Sequence, residues 1–532
     1  MLVRLRLLHR CAVRVIVACF FALAVSGAAL SQSLSCPVTA NTTVSGDTTL
    51  FTGAKPTYTC VVGNNAILTV PSGNALLNQQ GVSGKSTTLI LDSGTTLQNS
   101  GYVQNFATTS TAYVGGTLTS FGTIYNNGGG TLDTTDGTLT NAGNLENFGT
   151  IDDETGGGGT LNNAGRLVNE TEEGGSFDVF IGVTTVTNAF KASIENDSTF
   201  ESSSLTNNGT FTNTSGVLIL TGPSTNNADG TIANGEFFSI YGKLQNNGTL
   251  TNSGGGTITV QNGGSLNLAG GSTLTNDTGI ISVVPGGTLN NLTGGTLTLG
   301  GQIILDGTMN AGGGVQLQTA QSGGLFNSNP TTTLFGTGTI NGNLTSTNSV
   351  VAPGAAASIP GLVDDVQITA PGTLTINGNY TQGSAGALDI TIEGVGSGDF
   401  SVLDLSGLAS LDGAVQFDFL NGFTPVVGDV FTFLNAGSLS GDFAAMSFTE
   451  NFFNWNCPTA DTCKLVYSPN SVSLDILAAS TGGSGGSGGS GSGGGSGTTN
   501  APEPSSLLLL GVALLALLAC SRAKPGSQGL RF

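Results

Sequence analysis

Residues 257–304 read TITVQNGGSLNLAGGSTLTNDTGIISVVPGGTLNNLTGGTLTLGGQII, and this stretch decides the fold. Short segments in which Leu, Ile or Val alternates with Thr, Ser or Asn are separated by turns rich in Gly and Asn. Two-residue alternation is typical of a strand with one buried side, and the turn residues end each strand early. The residues expected to point inward are spaced by seven or eight positions: Ile258, Leu266, Leu274, Ile281, Leu289, Leu297 and Ile304.

The same pattern repeats over a longer distance. Leu118, Leu139 and Leu161 each follow Gly-Thr and are 21 and 22 residues apart. Three short strands therefore make one coil of about 21–24 residues, and stacked coils pair each strand in parallel with its equivalent. The sequence predicts an all-β fold whose main part, residues 98–335, is a right-handed parallel β-helix, with about 13 coils between residues 61 and 345. Leu139 should pack between Leu118 and Leu161.

Asparagine has a fixed place in the repeat, because Asn-x-Gly recurs in the turns. The positions are Asn99, Asn126, Asn141, Asn147, Asn163, Asn207, Asn246 and Asn252. We expect Asn and Gly to take positive φ at the corners of the coils. Asparagine side chains stacked on successive coils should then form hydrogen-bonded ladders.

Composition and charge exclude some classes of function. The chain has 532 residues, 85 of them Gly, and a net charge of −20. Residues 32–500 hold six basic and 32 acidic residues, a net charge of −26, which would repel phosphate backbones and excludes nucleic acid as a partner. The one histidine, His9, lies near the N-terminus, so the rest of the chain lacks the commonest general base and metal ligand. We therefore expect a protein that is not an enzyme.

Both ends of the chain have the features of targeting segments. Residues 1–31 combine a basic start, an apolar run and small residues, which predicts a secretory signal peptide. Residues 477–500 are a linker rich in Gly and Ser. The uncharged stretch Ser505–Cys520 follows, and as a transmembrane helix it would anchor the chain in the inner membrane, with Arg522 and Lys524 on the inner side.

The C-terminal segment, residues 501–524, resembles the PEP-CTERM sorting signal of Gram-negative bacteria. The triplet Pro502-Glu503-Pro504, an apolar helix and Arg522 in a short basic end follow in the order of that family. The resemblance implies processing by an exosortase, a membrane transpeptidase. It also implies a membrane-anchored precursor that is delivered to the cell surface or to an exopolysaccharide matrix, so exopolysaccharide becomes a candidate partner.

The number and spacing of the cysteines are consistent with an exported protein. Once the two predicted membrane-targeting segments are set aside, four cysteines remain, and their spacing predicts two disulfides, Cys36–Cys60 and Cys457–Cys463. The first disulfide would lie in an N-terminal β cap, residues 32–97.

Residues 336–476 have longer alternating strands. Leu388, Ile390 and Ile392 should face one way, as should Val415, Phe417 and Phe419. This region resembles the C-terminal end of autotransporter-type passenger domains, in which a broader β element closes the β-helix. That resemblance implies an adhesin-like body.

Acidic residues recur at about one-coil intervals and form the best candidate site. They are Asp133, Asp136, Asp152, Asp153, Glu154, Glu170, Glu172, Glu173, Glu195 and Asp197. Three interpretations are open: Ca²⁺ ligands along one edge, a carboxylate pair that cleaves glycosidic bonds, or acidic loops that keep a β-helix soluble. The sequence requires no cofactor. It favours a non-enzymatic adhesin-like or structural surface protein, with a β-helix that binds or degrades polysaccharide as the alternative.

Overall fold

The computed structural model describes residues 32–477 except 35, 45–47, 50–56, 80–85, 92–93, 101, 107–110, 127, 129, 154–157, 172–178, 292–294, 313–314, 318–331, 359–365, 451–452 and 455–462. The chain divides into two units, Met1–Ala479 and Ser480–Phe532, and every described residue belongs to the first. The described residues form strands and turns without a helix. The predicted signal peptide, most of the linker and the predicted sorting segment lie outside them.

The first unit is a parallel β-helix with three strand-bearing faces. Face 1 contains β4 (Thr57–Val62), β7 (Ser86–Leu91), β10 (Thr111–Val114), β13 (Thr131–Asp133), β16 (Thr150–Asp152), β19 (Phe180–Asn188), β21 (Thr199–Asn207), β23 (Val217–Leu220), β26 (Phe237–Ile240), β29 (Thr257–Val260), β32 (Ile280–Val283), β35 (Gln302–Leu305), β38 (Thr332–Gly336), β41 (Ser349–Pro353), β46 (Ala387–Ile392), β49 (Ala414–Phe419) and β52 (Ala445–Glu450).

Face 2 contains the second halves of β19 and β21, which bend across the corner, together with shorter strands. These are β2 (Thr42–Thr43), β5 (Ile67–Val70), β8 (Thr96–Asn99), β11 (Thr117–Ser120), β14 (Thr138–Asn141), β17 (Thr160–Asn163), β24 (Ser224–Asn226), β27 (Lys243–Asn246), β30 (Ser265–Leu268), β33 (Thr288–Asn291), β36 (Thr308–Ala311), β39 (Thr339–Asn341), β44 (Thr373–Ile376), β47 (Val402–Leu405) and β50 (Val430–Asn435).

Face 3 is a separate sheet. It contains β1 (Gln32–Ser33), β3 (Thr48–Thr49), β6 (Ala75–Gln79), β9 (Tyr102–Phe106), β12 (Thr123–Asn126), β15 (Asn144–Asn147), β18 (Arg166–Asn169), β20 (Ser193–Asn196), β22 (Thr210–Asn213), β25 (Thr231–Asn234), β28 (Thr249–Asn252), β31 (Thr273–Asn276), β34 (Thr296–Leu299), β37 (Val315–Leu317), β40 (Leu344–Ser346), β45 (Tyr380–Gln382), β48 (Leu408–Leu411) and β51 (Ser438–Gly441). The remaining strands are β42 (Ala355–Ser358), β43 (Val366–Ala370), β53 (Phe453–Asn454), β54 (Cys463–Ser468) and β55 (Ser471–Ile476).

Apolar side chains stack along the inside of the coils, as the repeat predicted. Leu139 pairs in register with Leu118 on one side and Leu161 on the other, and all three are 2% exposed or less. Each inward side chain therefore touches its equivalents on the two neighbouring coils, which is the packing unit of a solenoid. Thirteen strands of face 3, from β6 to β40, cover the span for which about 13 coils were expected.

The β-helix continues past both predicted limits of the repeat region. Parallel coils begin before residue 98, because β1, β3, β6 and β9 pair in parallel as later strands do. The coils also continue beyond residue 335, through β40, β45, β48 and β51 on face 3. The longer strands of this region differ in length rather than in architecture. Their inward residues Leu388, Ile390 and Ile392 are fully buried, as predicted.

One residue of the predicted inward series is wrong by one position. Ile281 pairs with Ile303, and it is Ile303 that is fully buried inside the coil. Ile304 points outward, where it is 8% exposed because the antiparallel hairpin β42–β43 packs over face 1 and brings Ile368 into the same apolar cluster. Two adjacent isoleucines satisfy alternation equally well, so the sequence did not distinguish them.

Antiparallel strands close the C-terminal end. Strand β55 pairs with β50 on face 2 and with β54 on its other side. Phe431, Phe433 and Leu474 are fully buried beneath this pairing. The hairpin covers a strand edge that would otherwise remain open to pairing with another chain.

Two buried asparagine ladders run along the corners of the coils. In each ladder Nδ2 of one asparagine donates to Oδ1 of the asparagine on the next coil, as from Asn188 to Asn207 and from Asn207 to Asn226, both at 2.7 Å. The ladder at the end of face 2 contains Asn141, Asn163, Asn188, Asn207, Asn226 and Asn246. The ladder at the end of face 3 contains Asn105, Asn126, Asn147, Asn169, Asn196, Asn213, Asn234, Asn252 and Asn276.

The expected positive φ at these asparagines is wrong. The asparagines of the Asn-x-Gly turns end strands in extended conformation, and the described asparagines with positive φ are Asn64, Asn65 and Asn421. Glycine is needed after them for another reason: a Cβ at Gly143 would collide with the backbone oxygen of Gly122 on the coil before. Coils approach each other too closely at this corner for a side chain.

Candidate functional site

The acidic residues do not share one edge. Asp133 and Asp152 are in register on face 1, whereas Glu195 lies on face 3 and forms an ion pair with Arg166 at 2.9 Å. Asp133 accepts a hydrogen bond from the backbone N–H of Thr135 at 2.9 Å. Glu154, Glu172 and Glu173 lie outside the described residues.

Asp133 and Asp153 are both buried, and both accept hydrogen bonds from the backbone. Asp153, 8% exposed, accepts a hydrogen bond from the N–H of Thr184 at 2.7 Å. Among the described residues no group of three or more His, Cys, Asp or Glu side chains could hold a metal ion. The described carboxylates Asp133 and Asp153 therefore stabilise the local backbone.

A second pair of carboxylates comes together on the outer side of face 1. Asp389 on β46 pairs in register with Gln416 on β49, and Asp418 is the next outward residue along β49. Asp418 is 2% exposed and accepts a hydrogen bond from Oγ1 of Thr449 at 2.7 Å. Oδ1 of Asp389 is buried without a hydrogen-bond partner among the described residues.

The surroundings change the acidity of this pair. Burial, and secondarily the negative charge of Asp418, raise the pKa of Asp389 to about 7. Sequence reasoning missed the pair. Both residues alternate with buried apolar neighbours and were expected to face outward, but their proximity depends on how the two coils are stacked.

The disulfide Cys36–Cys60 is present, with its Cα atoms 5.2 Å apart. Cys60 is fully buried on β4, so the bridge ties the N-terminal segment to the first coils. Cys463 is disulfide-bonded as well. Cys457 lies outside the described residues, and the pairing Cys457–Cys463 stays a prediction.

The outer side of face 2 carries a third asparagine ladder, which we call the outer Asn strip. It consists of Asn267, Asn290, Asn310, Asn341 and Asn377. Nδ2 of each of the last four donates to Oδ1 of the asparagine on the preceding coil, at 2.6–2.8 Å. This direction is opposite to that of the buried ladders.

A second column accompanies the outer Asn strip. It consists of Ser265, Thr288, Thr308, Thr339 and Thr375, which pair in register from coil to coil. The outward positions of these five strands carry no charged side chain. The Asn-x-Gly turns did not indicate this strip. Its signal in the sequence is a Ser/Thr-x-Asn pattern within or at the end of successive strands.

Residues 500–523 match the family model of the PEP-CTERM protein-sorting motif. The chain carries a PEP-CTERM sorting motif. No curated protein is significantly similar to the chain.

The PEP-CTERM motif implies an exported protein that is processed by an exosortase from a membrane-anchored precursor in a Gram-negative bacterium. Pro502, Glu503, Pro504 and Arg522 all fall within the matched residues. They lie outside the described residues, and so does the apolar stretch Ser505–Cys520. Within the described part of the chain, no helix is long and apolar enough to cross a membrane. The anchoring helix therefore stays a prediction.

Proposed function

We propose that the mature protein is a non-enzymatic component of the cell surface or of an exopolysaccharide matrix, with an adhesin-like or structural role. The observation that carries the proposal is the uninterrupted β-helix, from β1 to β52, in a chain with a PEP-CTERM motif. Stacked coils present long outer faces that can make many weak contacts with a partner. Most of their inward side chains pack against neighbouring coils.

Charge supports the same proposal. A net charge of −26 over residues 32–500 keeps a repetitive β protein soluble and opposes pairing of its faces with other copies. The acidic side chains around Asp133 and Asp153 accept backbone hydrogen bonds, which is a structural role.

Cell fractionation combined with an activity assay tests the proposal. An antibody against the β-helix should find the protein in the surface or matrix fraction, and the purified protein should release no reducing ends from polysaccharides. Recovery mainly in the cytoplasm, or release of reducing ends at a steady rate, would contradict it.

The second candidate is an enzyme that cleaves polysaccharide, and the pair Asp389 and Asp418 favours it. An acid with a raised pKa beside a second carboxylate is the arrangement that glycosidases use. Asp418, however, is 2% exposed, so its carboxylate is closed to a sugar chain in this structure. If hydrolysis were detected and Asp418→Asn abolished it, the enzyme would replace the structural protein as the proposed function.

A further inference from the structure

We propose that the outer Asn strip binds a neutral, hydroxyl-rich polysaccharide that runs along the stacking direction of the coils. The inference rests on the proposed surface or matrix function and names the partner class and the contact face. On five successive coils an Asn lies two residues after an outward Ser or Thr: within β30, β33, β36 and β39, and at Asn377 directly after β44. With about 4.8 Å between neighbouring strands, the strip is about 19 Å long.

The amides of the strip retain unused hydrogen-bonding capacity. A primary amide has two N–H donors and two acceptor lone pairs. Along the strip, Asn310 donates one N–H to Asn290 and accepts one hydrogen bond from Asn341, both at 2.6 Å. One donor and one acceptor of its amide are not used by the ladder, and the same holds for Asn290 and Asn341. Asn341 and Asn377 are exposed, and Asn290 and Asn310 are half-buried.

The ladder also fixes these groups before any ligand arrives. Ordering free, flexible side chains at an interface costs free energy when a ligand binds. Because neighbouring amides already hold one another, most of this cost is met within the folded protein. A polymer with a hydroxyl group at regular intervals then gains many weak contacts that add up along its length.

The charge of the protein favours neutral over anionic polysaccharides as the partner. The outward positions of the strip are uncharged, and the surrounding protein is strongly acidic. Anionic polysaccharides would be repelled by the field of the protein. The strip is bounded by Lys243 on β27, in register with Ser265, and by Asp404 on β47, in register with Thr375.

An aromatic side chain at one end adds a stacking surface. Tyr241 is 49% exposed and precedes Lys243 by two residues, at the corner where face 1 leads into face 2. Aromatic rings with a polar tip suit surfaces that are apolar on one side and wet on the other, and the face of a sugar ring is such a partner.

Affinity electrophoresis of the exported protein, expressed from the full-length chain, tests the inference. The probes are hydroxyethyl cellulose, dextran and pullulan as neutral polymers and alginate as the anionic polymer. At least one neutral polymer should retard the protein, and alginate should not. The double variant Asn290→Thr/Asn310→Thr should weaken the binding at least tenfold. Threonine suits a strand, so the thermal unfolding midpoint is measured alongside to show that the fold is kept.

The matched control is Asn162→Thr, at an outward position of face 2 on β17, outside the strip. It should bind as the unmodified protein does. Absence of retardation by all three neutral polymers, equal retardation by alginate, or unchanged binding of the double variant would overturn the inference. The proposed surface or matrix function would survive each of these results, because it depends on location and on the absence of hydrolysis.

Discussion

Leu139 lies in register with Leu161 on the next coil, and neither side chain is exposed to solvent. Thr138, the residue before Leu139, points outward on the same strand. This pair of neighbours gives a direct test of the stacking. Leu139→Asp should bury a charge without a partner and cost several kcal/mol, whereas Thr138→Asp should cost little. Thermal unfolding of the two variants measures the difference, and equal shifts would contradict the inward position of Leu139.

The buried asparagine ladder should be as sensitive as the apolar stack. Asn207→Ala removes the donor to Asn226 and the acceptor for Asn188. A buried polar group that loses its partner costs about 1–3 kcal/mol, so the urea midpoint should fall clearly. Asn162→Ala, at a half-buried outward position on β17, serves as the control and should change the midpoint little. Similar midpoints for the two variants would show that the ladder does not contribute to stability.

Asp389 should make stability depend on pH. Its pKa of about 7 in the folded state lies above the value of about 3.9 in an unfolded chain. Between pH 4 and pH 7 the folded protein therefore keeps a proton that the unfolded chain has lost. The contribution of this group to the free energy of unfolding is therefore largest below pH 4. It decreases by about 2–4 kcal/mol in total as the pH rises from 4 through 7.

Urea unfolding at pH 4.5, 6 and 8 measures this effect. In Asp389→Asn the decrease across that range should be smaller, because no carboxyl group has to ionise in the buried site. Asp404→Asn, at an exposed position on β47, is the control and should keep the slope of the unmodified protein. An equal or steeper loss of stability with pH in Asp389→Asn would contradict the prediction.

Processing should depend on the PEP triplet. Replacing Pro502, Glu503 and Pro504 by alanine should leave a full-length precursor in the membrane fraction, because the exosortase would no longer recognise its substrate. Immunoblots of membrane and released fractions measure this. Release of a shortened product at the usual rate would mean that another signal directs processing.

The cysteines of the β-helix should be oxidised after export. Titration of the denatured, exported protein should find no free thiol at Cys36, Cys60, Cys457 or Cys463, and peptide mapping should link Cys36 to Cys60 and Cys457 to Cys463. A free thiol at Cys457 would contradict the pairing Cys457–Cys463.

Alternation and turn frequency were sufficient to predict the coil. A strand of four residues followed by a turn has few ways to bury its apolar side. Stacking of similar coils is the arrangement that buries that side in every repeat. The positions of Leu118, Leu139 and Leu161 followed directly from their spacing. The sorting motif could also be predicted from the sequence, because an exosortase recognises a linear segment of the chain.

The tertiary structure decided what depends on register between coils. The choice between Ile303 and Ile304, the proximity of Asp389 and Asp418, and the outer Asn strip arise from residues 20 to 40 positions apart that become neighbours only when loops of unequal length are stacked. Alternation fixes which side of a strand a residue faces but leaves its neighbours on the next coil undetermined. The sequence by itself determined the β-helix and the sorting motif of residues 500–523, whereas the packing of one coil on the next decided which outward side chains act together.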